Sequence, residues 1–131
     1  MSCVLRVSGD DFNIENFMRI TGLKPCMVFK KGEPRFKLRP RWKRFTESGA
    51  NFVVSDADFE YLIKQIKDSI KFLRKYGAKL ESYRNSHKDS MSLDFAVDQR
   101  DGWGQSDRFP SELLFLAGSL GIDIQLSQYP K

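Results

Sequence analysis

The sequence predicts a single α+β domain over residues 1–131, with a mixed or mainly antiparallel sheet packed against one long and two short helices. Three observations carry this. Short runs with period-two alternation recur along the chain. Residues 59–73 keep an apolar stripe at helical spacing. Finally, 131 residues that are 40% hydrophobic, with eleven Phe, supply one core without staples, since a chain of this size buries roughly two-thirds of its unfolded surface. No low-complexity stretch or linker divides it.

Cys3 to Ser8 reads as a strand, through Val4, Leu5 and Val7, and Gly9-Asp10-Asp11 breaks it. A short helix follows, with Asp11 or Asn13 as its cap. Ile14, Phe17 and Met18 face the core, Gly22 ends the helix and Pro25 stops it resuming. Met27-Val28-Phe29 is a short strand closed by the turn Lys31-Gly32-Glu33-Pro34. From Arg35 to Phe45 the chain alternates as a two-faced strand. Phe36, Leu38, Trp42 and Phe45 are expected inward and the cations outward, with an edge, bulge or break at Pro40. Asn51 to Val54 is the next strand, after a turn at Ser48-Gly49. Ser55-Asp56-Ala57-Asp58 resembles a capping box for the long helix. Its stripe is Phe59, Leu62, Ile63, Ile66, Ile70 and Leu73, and Gly77 is its expected end. Leu80 to Tyr83 then reads as a strand, Asn85 to Asp89 as a turn and Ser92 to Val97 as a half-buried strand. A polar loop, a helix carrying Leu113, Leu116, Ala117 and Leu120, and a strand of Ile122, Ile124 and Leu126 complete the chain. Residues 3–29 and 92–127 thus form two βαβ-like halves.

The formal charge of +5 is unevenly placed. Between Lys30 and Arg44 eight basic residues meet one acid, Glu33, so this segment carries +7 and the remainder −2. Such a strip suits an acidic protein surface, a nucleic-acid backbone, or plain solvation. With the rings inward, base stacking is disfavoured and a protein partner preferred. The partner-binding residues expected are Arg35, Lys37, Arg39, Arg41, Lys43 and Arg44, with Trp103. Trp103 sits in Gly102-Trp103-Gly104, where it either anchors a partner or folds back onto the core.

Catalytic and metal chemistry find little to stand on. The one histidine, His87, lies in a turn-like stretch without a nucleophile motif. Asp94, Asp98, Asp101 and Asp107 lack calcium-loop spacing, and a site built from Asp94, Asp98 and Arg100 has no motif behind it. No phosphate-cradling glycine loop is present. Cys3 and Cys26 are too few for a zinc site and are expected reduced, a disulfide between them needing an oxidising compartment. No basic-then-apolar leader and no membrane-length apolar run occurs. The expectation is a cytoplasmic binding protein rather than an enzyme, with no cofactor, no metal and no membrane partner.

Several of these features coincide in one pattern: Gly9-Asp10-Asp11 after the first strand, Gly22-Leu23-Lys24-Pro25, Lys31-Gly32-Glu33, the segment Trp42 to Phe45, Glu112-Leu113-Leu114, and the closing Ile122 to Tyr129. This resembles an uncharacterised bacterial family, catalogued as a domain of unknown function, that is similar in layout to small toxin-immunity proteins. The density of Arg and Lys around Trp42 departs from it. The resemblance implies an immunity-type protein that neutralises a cognate toxin or effector with an acidic surface by binding it. It carries over no catalytic residue. The alternative is a nucleic-acid-binding module using the Lys30–Arg44 strip.

Overall fold

The computed structural model describes residues 1–39 and 41–130. β1 (Cys3–Gly9) leads into α1 (Ile14–Thr21), where Asn13 Oδ1 accepts from the Asn16 backbone N–H and Gly22 closes the helix at φ 75°. That left-handed conformation suits glycine, which has no Cβ to clash. β2 (Met27–Phe29), β3 (Ser48–Ser55), α2 (Leu62–Ser86), β4 (Ser90–Asp98), α3 (Ser111–Ser119) and β5 (Ile122–Tyr129) follow. The strands form one mixed sheet in the order β2-β3-β1-β4-β5. Only β4 and β5 pair in parallel, through the α3 crossover. β1 and β2 are each antiparallel to β3, so they run the same way with β3 between them. The first βαβ half is therefore split by a strand, and the second is contiguous.

Period-two alternation sorts the sheet into two faces. Cys3, Leu5 and Val7 are fully buried toward the helices. Their register partners Phe52, Ala50, Phe95, Leu93 and Met91 share that side. Phe17 of α1 meets Phe52 at 5.0 Å and Tyr83 of α2 edge-on at 4.7 Å, while Leu113 and Ala117 of α3 close the same core. Burying each large apolar side chain stabilises the fold by about 1.5–3 kcal/mol. The opposite face bears no helix among the described residues. A polar chain crosses it: Ser127 donates to Asp94 (2.6 Å), Arg6 donates to Asp94 through Nε and Nη2 (3.2 and 3.0 Å), and Arg6 Nη1 donates to Asn51 Oδ1 at 3.0 Å.

Several expectations are corrected. α2 runs through Gly77 and Leu80–Tyr83 to Ser86, so no strand forms there. Leu80 and Tyr83 are fully buried, continuing the stripe from Leu73, and their burial outweighs the roughly 0.5–1 kcal/mol cost of a helical glycine. The capping box is displaced. Ser55 closes β3, its hydroxyl donating to Asp68 Oδ2 (2.7 Å) and accepting from Ala57 N (3.2 Å), and the helix starts at Leu62. Ile63 is exposed, and Phe59 precedes the helix to pack on Tyr129. Ser48 and Gly49 belong to β3 rather than to a turn. β4 is buried along most of its length rather than half-buried. His87 is not a free turn residue: it caps α2, stacks on Tyr83 at 4.2 Å and bonds Asn16 through Nε2. No described helix is long and apolar enough to cross a membrane.

The largest correction concerns Arg35 to Phe45, which is a hairpin-shaped loop and not a strand. Its two arms touch through a single bridge, Pro34 with Arg44, and through hydrogen bonds from Arg35 N to Lys43 O (2.8 Å) and from Phe45 N to Glu33 O (2.9 Å). The tip is held by bonds from Arg39 N to Phe36 O and from Trp42 N to Arg39 O. Alternation makes an inward face only where a packed layer covers it. Among the described residues only Phe45, at the base, packs on the sheet; Leu38 is 97% exposed, Trp42 59% and Phe36 50%. The expected break at Pro40 lies outside the described residues.

Candidate functional site

The hairpin between β2 and β3 places Arg35, Lys37, Arg39, Arg41, Lys43 and Arg44 at the surface. Among the described residues none of the six pairs with an acid, although neighbouring Lys31 reaches Asp10 at 3.4 Å. Two cations lie over rings instead: Arg39 over Trp42 at 5.2 Å and Arg35 over Phe45 at 5.7 Å. Such contacts at exposed sites stabilise by about 0.5–1 kcal/mol. Phe36 and Trp42 lean together at 5.3 Å. The hairpin is therefore a cationic tip with an outward Phe36–Trp42 pair and an exposed Leu38.

Its base is anchored to the sheet. Phe45 stacks on Phe29 with centroids 4.5 Å apart. Arg44 Nη1 donates to Gly32 O at 2.7 Å, and Lys31 N donates to the Ser48 hydroxyl at 3.0 Å. Phe29 lies flat over Gly49, where an added Cβ would stand 2.3 Å from its Cζ and 2.6 Å from Val7 O, so only glycine admits the ring. Under the hairpin, on the helix-free face, a recess of about 390 Å³ opens. Arg6, Met27, Phe29, Arg35, Arg44, Phe45, Glu47 and Asn51 form most of its wall. The charge-based reading found two of these, Arg35 and Arg44. Arg6 had a signal of its own, as a cation at a non-core position of an otherwise apolar strand, which period two turns toward the recess.

Trp103 is fully exposed, so it does not fold back on the core. It lies beyond the end of β4 that pairs with the start of β1, whereas the hairpin lies beyond the opposite end of β1, across β3. Strand spacings put the two regions roughly 30 Å apart at opposite corners of the sheet, and the fold does not bring them together.

The other polar and titratable groups have partners of their own. Asp94 is buried and accepts from Arg6 and Ser127, while Arg100 pairs with Asp107 at 2.9 Å. No group of three or more His, Cys, Asp or Glu among the described residues is placed to hold a metal. Cys3 and Cys26 are both free. Burial pushes the Cys3 thiol up to about 12, against the opposing pull of its hydrogen bond with Ser69. Tyr83 is raised too, first by burial and then by its bond to Asp89. Burial also acts to raise Asp68, but the hydrogen bonds from Lys64 and Ser55 and the charges of Lys64 and Lys71 prevail and lower it.

No curated protein and no solved structure matched the chain. One family model did, over residues 1–131, and on that match the chain belongs to the family described as a domain of unknown function, DUF4279.

Proposed function

We propose that this chain is an immunity-type binding protein that docks its basic hairpin on an acidic surface of a cognate toxin or effector and so neutralises it. One observation supports this most: six exposed cations, with no acid paired to them among the described residues, share the hairpin with the exposed Phe36, Leu38 and Trp42. Arg and Trp at the centre of a patch are the residues that dominate protein interfaces, and an exposed leucine suits a protein pocket better than a phosphodiester. The outward rings favour a nucleic-acid reading more than inward ones would. Yet Phe36 and Trp42 pack on each other and Arg39 covers Trp42, which leaves less ring face for bases.

The test begins with a pull-down from the native cell, identifying the partner by mass spectrometry. Arg39→Glu, Arg41→Glu and Lys43→Glu together should then slow association with it by about tenfold or more and remove most of its salt dependence. Trp103→Ala should leave the affinity near wild type, because a standard interface of about 800 Å² per partner centred on the hairpin need not reach the opposite corner. Protection that survives the triple reversal would exclude the hairpin as the interface. Retention of RNA or DNA whose log affinity falls linearly with log salt would favour the nucleic-acid module instead.

A further inference from the structure

We propose that the recess under the hairpin is a binding site for a carboxylate carried on an apolar group. Arg35 and Arg44 are shared with the proposed docking face, whereas Arg39, Arg41 and Lys43 are not part of the recess wall, so the triple reversal tests that face separately. The wall is divided chemically. Met27, Phe29 and Phe45 supply an apolar side, with the two rings stacked at 4.5 Å. Arg6, Arg35 and Arg44 supply the cationic residues of the wall.

Arg6 is held in place by Asp94 and Asn51, and Asp94 neutralises it. Arg44 uses one nitrogen on Gly32 O, and the Arg35 side chain has no hydrogen-bond partner among the described residues. Each guanidinium carries five N–H donors in a planar fork that matches a carboxylate. The one acid in the wall, Glu47, pairs with neither arginine among the described residues. Two guanidiniums with no acid paired to them among the described residues, against one carboxylate, leave room for one more negative charge, which suits a monoanion better than a phosphate. A volume of about 390 Å³ is at the small end of ligand pockets. It would take either a free small organic acid or an acidic side chain beside an apolar one on a protein.

The experiment uses the full chain, isotopically labelled, and follows the Met27 methyl and the Arg35 and Arg44 Nε–H signals by NMR. The probes are phenylacetate, phenylacetamide, inorganic phosphate and the capped dipeptide N-acetyl-Phe-Glu amide. Saturable shifts with phenylacetate or the dipeptide, and none with phenylacetamide, are expected. The tighter of the two carboxylates identifies the source as a free acid or a protein side chain. Arg35→Gln and Arg44→Gln should each weaken binding about tenfold, as for loss of a charged hydrogen bond. Glu47→Gln should strengthen it, a gain that a folding defect cannot mimic. The proposal is overturned if neither carboxylate gives a saturable shift, if phenylacetamide or phosphate does as well, or if the arginine variants bind as wild type.

Discussion

Cys3 shows how one position couples chemistry to stability. It sits on β1, fully buried beneath α2, with its thiol near Ser69 at 3.4 Å. Its ordinary value of 9.0 is raised to about 12, mainly by burial. The folded state therefore holds a proton that the unfolded chain releases above pH 9. Its contribution is fully present below pH 9 and is lost as pH rises toward 12, by about 1.4 kcal/mol per pH unit. Urea denaturation at pH 8 and pH 10 should show this loss in the wild type, and Cys3→Ala should remove that part of it. An identical loss in both proteins would mean the thiol is not the group responsible. Cys26, by contrast, is exposed, with its thiol on Asn51 O at 3.2 Å.

Among the elements, α2 separates two readings of one residue. Gly77 looked like a helix end, but it lies inside Leu62–Ser86. A Cβ there would meet nothing within 4 Å, and its φ is not positive. Gly77→Ala should therefore stabilise the protein by about 0.5–1 kcal/mol, raising the urea midpoint without changing the slope. At a left-handed helix end the same change would destabilise it. The stripe from Leu62 to Leu73 was legible because its period is intrinsic to the chain. Its continuation to Leu80 and Tyr83 was not, because the glycine's local cost is small beside the burial that Phe17 and the sheet provide. β1, α1, β2, α3 and β5 were all readable from local pattern, with Asn13, one of two candidates, as the α1 cap. The loop at Arg35–Phe45 shows the converse: it has a strand's alternation, but among the described residues no layer buries one side of its tip.

At the scale of the whole molecule, charge and aromatic exposure are arranged at opposite corners. The only two tryptophans, Trp42 and Trp103, stand on the two separated loops. Trp42 lies in a +7 segment, and Trp103 lies in residues 98–108, where Asp98, Asp101 and Asp107 against Arg100 and Arg108 leave a net −1. In single-tryptophan variants, neutral acrylamide should quench both in the native state. Iodide should quench Trp42 more efficiently than Trp103, and the difference should fade in high salt as the local fields are screened. Shielding of either indole from acrylamide would contradict the exposure described. Equal iodide quenching at low salt would contradict the charge separation.

The sequence alone determined the α+β class, the single domain, most elements and the location of the positive charge, because hydrophobic period, turn residues and charge are local properties. Tertiary structure alone decided which face of the alternating segment is covered, that Gly77 is interior, that Arg6 joins Arg35 and Arg44 around a recess, and that Trp103 stands apart from them. Each of these depends on strand order and on what packs beneath a segment, and pairing between residues distant in the chain leaves little mark on the local pattern of either one.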